Sequence, residues 1–158
     1  IKIKSMKKIL VLASVLFTLG ACQNSEEKKA PKKTIKIGQV ERPDATQSEL
    51  QKSKERGGMV YSDFCMQCHL ANGKGIPGNF PPLYLSNWLK DMRTESIKAV
   101  KYGQKGEIEV NGVTYNGVMV PMGLSDQEVA DVMNYVMNSW GNTQDGMVTE
   151  AEVKAVEK

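Results

Sequence analysis

The sequence predicts an all-α domain with one small, isolated β-hairpin, and three patterns along its 158 residues support this fold class. Apolar residues recur at helical spacing from Val129 to Trp140. A second helical pattern runs from Thr46 to Cys68. Between them, Asn111 and Gly112 separate two stretches of alternating apolar residues, which is typical of a two-residue hairpin turn.

The first helix is expected to begin at a capping box formed by Thr46 and Glu49. Gly57 and Gly58 interrupt this helix, and each costs about 1 kcal/mol relative to alanine in a helix interior. Two adjacent glycines inside a helix need a structural reason. The close approach of another helix backbone is the natural one.

The segment between the long helices is predicted to hold a loop, two short helices and the hairpin. Residues 70–88 contain glycine and asparagine turn signals and three prolines, so this loop should wrap around something other than its own core. Short helices are predicted over Ser86–Met92 and Thr94–Tyr102. Gly103 should end the second of them.

The last long helix is predicted to begin at a capping box of Ser125 with Glu128 and to end at Gly141. A second capping pair, Thr149 with Glu152, predicts a short helix near the end of the chain. Residues 144–158 are therefore interpreted as a C-terminal extension, whose role the sequence does not indicate.

The net charge of +3 is distributed unevenly along the chain. Residues 1–46 hold ten of the 21 lysines and arginines and four of the 18 acidic residues, which leaves 11 and 14 for residues 47–158, a formal charge of −3. Nucleic-acid binding needs a basic patch on the folded surface. The composition therefore argues against a nucleic-acid partner.

Residues 1–22 are interpreted as a signal peptide. Met6 is followed by two lysines, an apolar run from Ile9 to Leu19 and small residues before Cys22. The run is too short to span a bilayer. Its end, LGAC, resembles a bacterial lipobox, so Cys22 is expected to carry a lipid anchor. Ordinary cleavage near Ala21, which would leave a free thiol, is the alternative.

Residues 23–46 are charged and contain few large apolar side chains. Such a segment cannot bury enough surface to offset the entropy of ordering it, so a flexible linker is predicted. The folded domain is then expected over residues 47–143.

The strongest chemical signal is the segment CMQCH at residues 65–69, which holds the only histidine of the chain. Paired cysteines beside a histidine occur in zinc sites, dithiol redox centres and covalent haem attachment. A structural zinc site usually takes four ligands from two separated pairs, and the sequence has no second pair. A thioredoxin-like dithiol follows a strand, whereas a helix is predicted here.

Covalent haem attachment uses every residue of this motif. Cys65 and Cys68 are three residues apart on a helical turn, so both sulfurs can bond to one edge of the porphyrin. His69 then becomes the proximal iron ligand. The sequence therefore predicts one covalently bound haem c per chain.

A methionine is expected on the other side of the iron, because its weakly donating thioether favours a high reduction potential. Among the nine methionines, Met59, Met133 and Met137 are assigned to helix faces as core residues. Met119 and Met122 lie on an irregular segment just before the last long helix. These patterns leave both of them open as the ligand.

Residues 48–142 resemble the class I (monohaem) bacterial cytochromes c. The resemblance rests on GxxYxxxCxxCH from Gly58 to His69, and on the segments NGKGIPGNFPPL, YNGVM and LSDQEVADVMNYVMNSWGN. It implies a fold in which the first and last helices cross at right angles around the haem, with the hairpin as an insertion. It also implies contact between Gly58 and Tyr135.

Further site residues follow from the same resemblance. The carbonyl of Pro81, or of Pro82 as the second choice, is expected to accept a hydrogen bond from the other ring nitrogen of His69. The family's axial methionine usually precedes a proline several residues ahead of the last helix. Here the sequence reads MVP, and Met119 fits this place better than Met122 because it stands six residues before Ser125.

The function implied by the resemblance is electron transfer, with no catalytic residue. A carrier exported to the periplasmic side, and anchored there as a lipoprotein through Cys22, would exchange electrons with an oxidase, a reductase or a dehydrogenase. The alternative is a haem sensor or peroxidase-like enzyme with a labile sixth ligand. That function needs a distal acid–base group, and the sequence has no second histidine to provide one.

Overall fold

The computed structural model describes residues 45–158, so Cys22, the predicted signal peptide and nearly all of the predicted linker lie outside the described part. Its helices are α1 Ala45–Val60, α2 Met66–His69, α3 Asn87–Asp91, α4 Arg93–Tyr102, α5 Asp126–Val136 and α6 Glu150–Ala155, with a π-helical turn, Tyr61–Cys65, joining α1 to α2. Its strands are β1 Gln104–Lys105, β2 Ile108–Val110, β3 Val113–Tyr115 and β4 Val118–Met119. The predicted helical fold with a small hairpin is confirmed.

Helix α1 packs mainly against α5. A Cβ atom on Gly57 would collide with the backbone carbonyl of Asp131, and one on Gly58 would lie 3.3 Å from the ring of Tyr135. The expected contact between Gly58 and Tyr135 is confirmed, and Gly57 permits the closest approach. The predicted start is wrong, because the chain is already helical at Ala45 and Thr46 lies within α1.

Helix α5 begins as the sequence predicts. Ser125 accepts a hydrogen bond from the backbone N–H of Glu128, and the Glu128 carboxylate accepts one from the N–H of Ser125 at 2.8 Å. Its apolar face supplies much of the core, where Val129 and Met133 are fully buried.

The predicted end of α5 at Gly141 is wrong, because the helix ends at Val136. Side chains that follow the helix donate to its last carbonyl groups. The Asn138 amide donates to the carbonyl of Asn134 at 2.8 Å, and the Asn142 amide donates to that of Val136 at 2.7 Å. Since these carbonyls have no partner within the helix, side-chain donors stabilise its end. Trp140 consequently lies in the turn that follows.

The hairpin forms as predicted but is not isolated. Strands β2 and β3 are antiparallel, with Asn111 and Gly112 at positive φ in the two-residue turn between them. Strand β1 pairs with β4, so the segments on both sides of the hairpin also join. The side chains of Asn87 and Asn111 each accept a hydrogen bond from the other's backbone N–H, at 2.7 and 3.0 Å, which ties the turn to α3.

The C-terminal extension is packed into the core. Thr149 caps α6 as predicted by accepting a hydrogen bond from the N–H of Glu152 at 3.1 Å. Val148 and Val153 are buried, and the ammonium group of Lys101 donates to the carbonyl of Val153 at 2.8 Å. None of the helices between residues 45 and 158 has the length and apolar character needed to cross a membrane.

Candidate cofactor site

A cavity of about 240 Å³ lies between the CMQCH segment, α4, α5 and the hairpin. Well-packed protein interiors contain few voids larger than a water molecule, so a volume of this size can accept a bound group. Its walls are largely apolar. The apolar side chains that line it include Leu83, Leu89, Val100, Ile108, Val110, Val132, Met133 and Val136.

All three reactive side chains of the motif line this cavity. Cys65 ends the π-helical turn, and Cys68 and His69 follow on the short helix α2. Helical residues three and four apart share a face, which explains why Cys65, Cys68 and His69 reach the same wall. The π-helical turn changes the helical phase between α1 and the motif, and such turns are frequent at functional sites.

A single ring nitrogen of His69 is engaged by the protein. Its Nδ1 atom lies 3.0 Å from the carbonyl oxygen of Pro81, which is the contact implied by the family resemblance. Because a carbonyl can only accept, Nδ1 carries the proton and Nε2 keeps a lone pair for a ligand bond. Burial lowers the pKa of His69, against the opposing effect of the Pro81 carbonyl, so the imidazole is neutral at pH 7. Pro82 also lines the cavity.

The cysteine environment fits covalent attachment better than the two other uses of the motif. Burial, with a smaller effect of Cys68, raises the pKa of Cys65 to about 11. A reactive dithiol needs a thiolate of lowered pKa, so this environment argues against a redox dithiol. Residues 45–158 contain no group of three or more His, Cys, Asp or Glu side chains arranged to hold a metal ion, which argues against zinc there.

Met119 and Met122 both line the cavity and are half-buried, whereas Val118 and Val120 are exposed. Met119 belongs to β4, where it pairs with Gln104 of β1. Its carbonyl oxygen would lie only 2.5 Å from a Cβ atom on Gly103, so the two backbones are in close contact. This contact and the strand pairing hold the backbone of Met119 in place.

The remaining methionines are placed as the sequence indicates, with one exception. Met133 and Met137 are buried in the core. Met59 was also expected to be a core residue, and this prediction is wrong because its side chain is 63% exposed. The turn of α1 that carries it faces away from α5.

Two aromatic residues at the cavity were not predicted as site residues. Trp88 of α3 and Tyr115 of β3 both line it, and Tyr115 is buried. The alternation of Ile108, Val110 and Tyr115 on one face of the hairpin was a signal that this face covers something apolar.

Comparison with known proteins agrees with this geometry. The family model described as cytochrome c matches residues 54–140, more than half of the chain. The chain belongs to the cytochrome c family. Haem c, bound covalently, is the cofactor of this family, and its members transfer electrons without catalysing a reaction themselves.

This cytochrome c is similar to cytochrome c-552 of Thermus thermophilus, with 41% identity over 93 residues that cover 56% of this chain and 70% of that protein. For cytochrome c-552 from another strain of the same species the identity is also 41%, and the chain spans 62% of that protein. The cytochrome c subunit of the quinone alcohol dehydrogenase of Gluconobacter oxydans is 32% identical over 62% of this chain and 21% of that subunit.

Proposed function

We propose that this cytochrome c is an exported one-electron carrier, with haem attached at Cys65 and Cys68 and with His69 and Met119 as the axial ligands of the iron. The bound haem supplies an iron that alternates between the ferric and ferrous states. The observation that carries the proposal is the convergence of these four side chains on one apolar cavity.

His69 is prepared for its role as a ligand. The Pro81 carbonyl holds Nδ1 at 3.0 Å, which fixes the tautomer and restricts rotation of the ring. A ligating histidine is neutral, and the lowered pKa of this buried imidazole favours that form. Loss of the Nδ1 contact would leave both the ring orientation and the ligand basicity less defined.

Two observations favour Met119 over Met122 as the second ligand. Its backbone is held by the pairing of β4 with β1 and by the close contact with Gly103, whereas Met122 follows the last strand. Electron transfer is fastest when both ligands stay in place during the change of oxidation state, so a ligand on a fixed backbone suits a carrier. The apolar walls keep water away from the ligand positions.

Location and partners extend the proposal beyond the described residues. A lipid on Cys22 would anchor the chain on the periplasmic side, and residues 23–46 would tether the domain. Loss of membrane association in a Cys22→Ser variant, with the rest of the chain intact, tests the anchor. The similarity to a cytochrome c subunit of a quinone alcohol dehydrogenase supports a dehydrogenase as one electron donor, beside oxidases and reductases as other partners.

Replacing each methionine by leucine tests the assignment of the axial ligand. Leucine keeps a similar volume but has no sulfur. Met119→Leu should abolish the weak far-red absorption band of the oxidised protein and allow rapid carbon monoxide binding to the reduced protein. Met122→Leu is the matched control and should keep the band.

The reverse result would assign the ligand to Met122. Rapid carbon monoxide binding to the unmodified reduced protein would contradict the carrier function, because it requires an open or labile sixth position. A sensor or peroxidase-like function would then take its place.

A further inference from the structure

The residue directly after the proposed proximal ligand has an unfavourable backbone conformation. Leu70 adopts φ 63° and ψ 159°, a region that residues with a side chain rarely occupy. Such a conformation persists only where surrounding contacts impose it, and such sites cluster at functional centres. Burial of its own side chain cannot impose it, since Leu70 is 37% exposed.

Two aromatic side chains hold the carbonyl groups at this point of the chain. The hydroxyl of Tyr61 donates a hydrogen bond to the carbonyl oxygen of Leu70 at 2.6 Å. The indole N–H of Trp140 donates to the carbonyl oxygen of Ala71 at 3.1 Å. Tyr61 lies in the π-helical turn and Trp140 follows α5, so one contact comes from each of the two packed helices.

The same aromatic rings form a rigid support. The ring centroids of Tyr61 and Trp140 are 5.1 Å apart, and that of Tyr135 lies 5.3 and 5.7 Å from them. The chain passes directly over the indole, because a Cβ atom on Gly73 would be only 2.5 Å from the Trp140 ring. Tyr135 contributes its ring to this cluster, but its hydroxyl makes no hydrogen bond to residues 70–73.

We propose that Tyr61 and Trp140 are positioning residues for His69. By holding the carbonyls of Leu70 and Ala71, they keep the chain in the strained turn that follows the histidine. The imidazole is then fixed from two sides, by this turn through its backbone and by Pro81 through Nδ1. The packing of α1 on α5 is thereby coupled to the orientation of the iron ligand. This inference rests on the proposed function, since it takes His69 as the ligand.

Tyr61→Phe and Tyr135→Phe in the full-length haem-loaded protein form a matched test. Each variant removes one hydroxyl from the same cluster and keeps the ring, but only the hydroxyl of Tyr61 holds the Leu70 carbonyl. The haem-methyl proton resonances of the oxidised protein report the plane of the axial imidazole. Tyr61→Phe should shift these resonances and the reduction potential, while Tyr135→Phe should leave both at the wild-type values.

A glycine at position 70 provides a rescue experiment. Glycine adopts positive φ without steric cost, so the chain would keep its course after His69 without help from Tyr61. In the Leu70→Gly background, Tyr61→Phe should therefore shift the haem-methyl resonances at most half as much as in the wild type. Trp140→Phe, which removes the indole N–H but keeps a ring, should shift the same resonances in the Leu70 background.

Two results would overturn the inference: equal effects of Tyr61→Phe and Tyr135→Phe, or an undiminished effect of Tyr61→Phe in the Leu70→Gly background. Either would mean that Tyr61 acts through packing alone. Failure of the proposed function would look different, because the wild-type protein itself would then lack the spectrum of histidine and methionine ligation.

Discussion

Glu152 joins the C-terminal extension to the start of α4 through a two-point ion pair. Its carboxylate accepts hydrogen bonds from Nε and Nη2 of Arg93 at 2.6 and 2.9 Å. The hydrogen bond from Arg93 holds the pKa of Glu152 below its ordinary value of 4.5, against the opposing effect of burial. A lowered folded-state pKa contributes stability above pH 4.5, and this contribution is lost as the pH falls through the folded-state value.

Glu152→Gln should therefore lower the free energy of unfolding at pH 7, by on the order of 1 kcal/mol for a half-buried, two-point pair. The deficit should shrink as the pH falls below 4.5, where the wild-type carboxylate also loses its charge. Urea unfolding of both proteins over this pH range measures it. Glu49→Gln, in an exposed pair with Lys52, is the control and should change stability little at any pH. A deficit for Glu152→Gln that does not depend on pH would contradict the assignment.

Asp131 shows which single residues a sequence reveals and which it conceals. Cys65, Cys68 and His69 could be assigned because their chemistry is written within five adjacent residues. Asp131 stands within the apolar pattern of α5, yet it is 2% exposed and accepts hydrogen bonds from Ser53, Arg56 and Gln127. Ser53 and Arg56 lie 78 and 75 residues earlier in the chain, so only the fold brings them to it.

At the scale of elements, the packing of α1 on α5 depends on Gly57 more than on Gly58. A side chain at position 57 would meet the backbone of α5, which cannot move aside, whereas one at position 58 would meet the edge of the Tyr135 ring at 3.3 Å. The two glycines are adjacent and helical, so they form a matched pair.

Gly57→Ala should lower the free energy of unfolding by about 2–3 kcal/mol, because the two helices must separate to admit the methyl group. Gly58→Ala should be close to neutral, since the better helix propensity of alanine, about 1 kcal/mol, offsets a small shift of the tyrosine ring. Denaturant unfolding of the two variants checks this. Equal losses would mean that neither position sets the distance between the helices.

The elements that could be predicted from sequence are those that local chemistry determines. The capping boxes at Ser125 and Thr149 and the turn at Asn111 all formed. The end of α5 could not be predicted, because it depends on amide side chains that fold back onto carbonyls after the helix has begun. The pairing of β1 with β4 was missed because each strand has only two residues.

At the scale of the whole molecule, the cavity is built from nearly every element between α2 and α5. The C-terminal extension lies beyond the residues matched by the family, 54–140, yet it belongs to the same core. The backbone N–H of Val148 donates to the side chain of Asn134 at 2.7 Å, and Val156 is buried. The family resemblance gave no information on these contacts, which arise from residues outside the matched region.

The visible spectrum of the full-length protein, matured with its haem and recorded in the oxidised and reduced states, tests the central claim most directly. A low-spin spectrum with a weak far-red band in the oxidised protein is the predicted result, because methionine sulfur bonded to ferric iron produces that band. A high-spin spectrum without the band would contradict the account, since the iron would then lack the second protein ligand that a carrier retains.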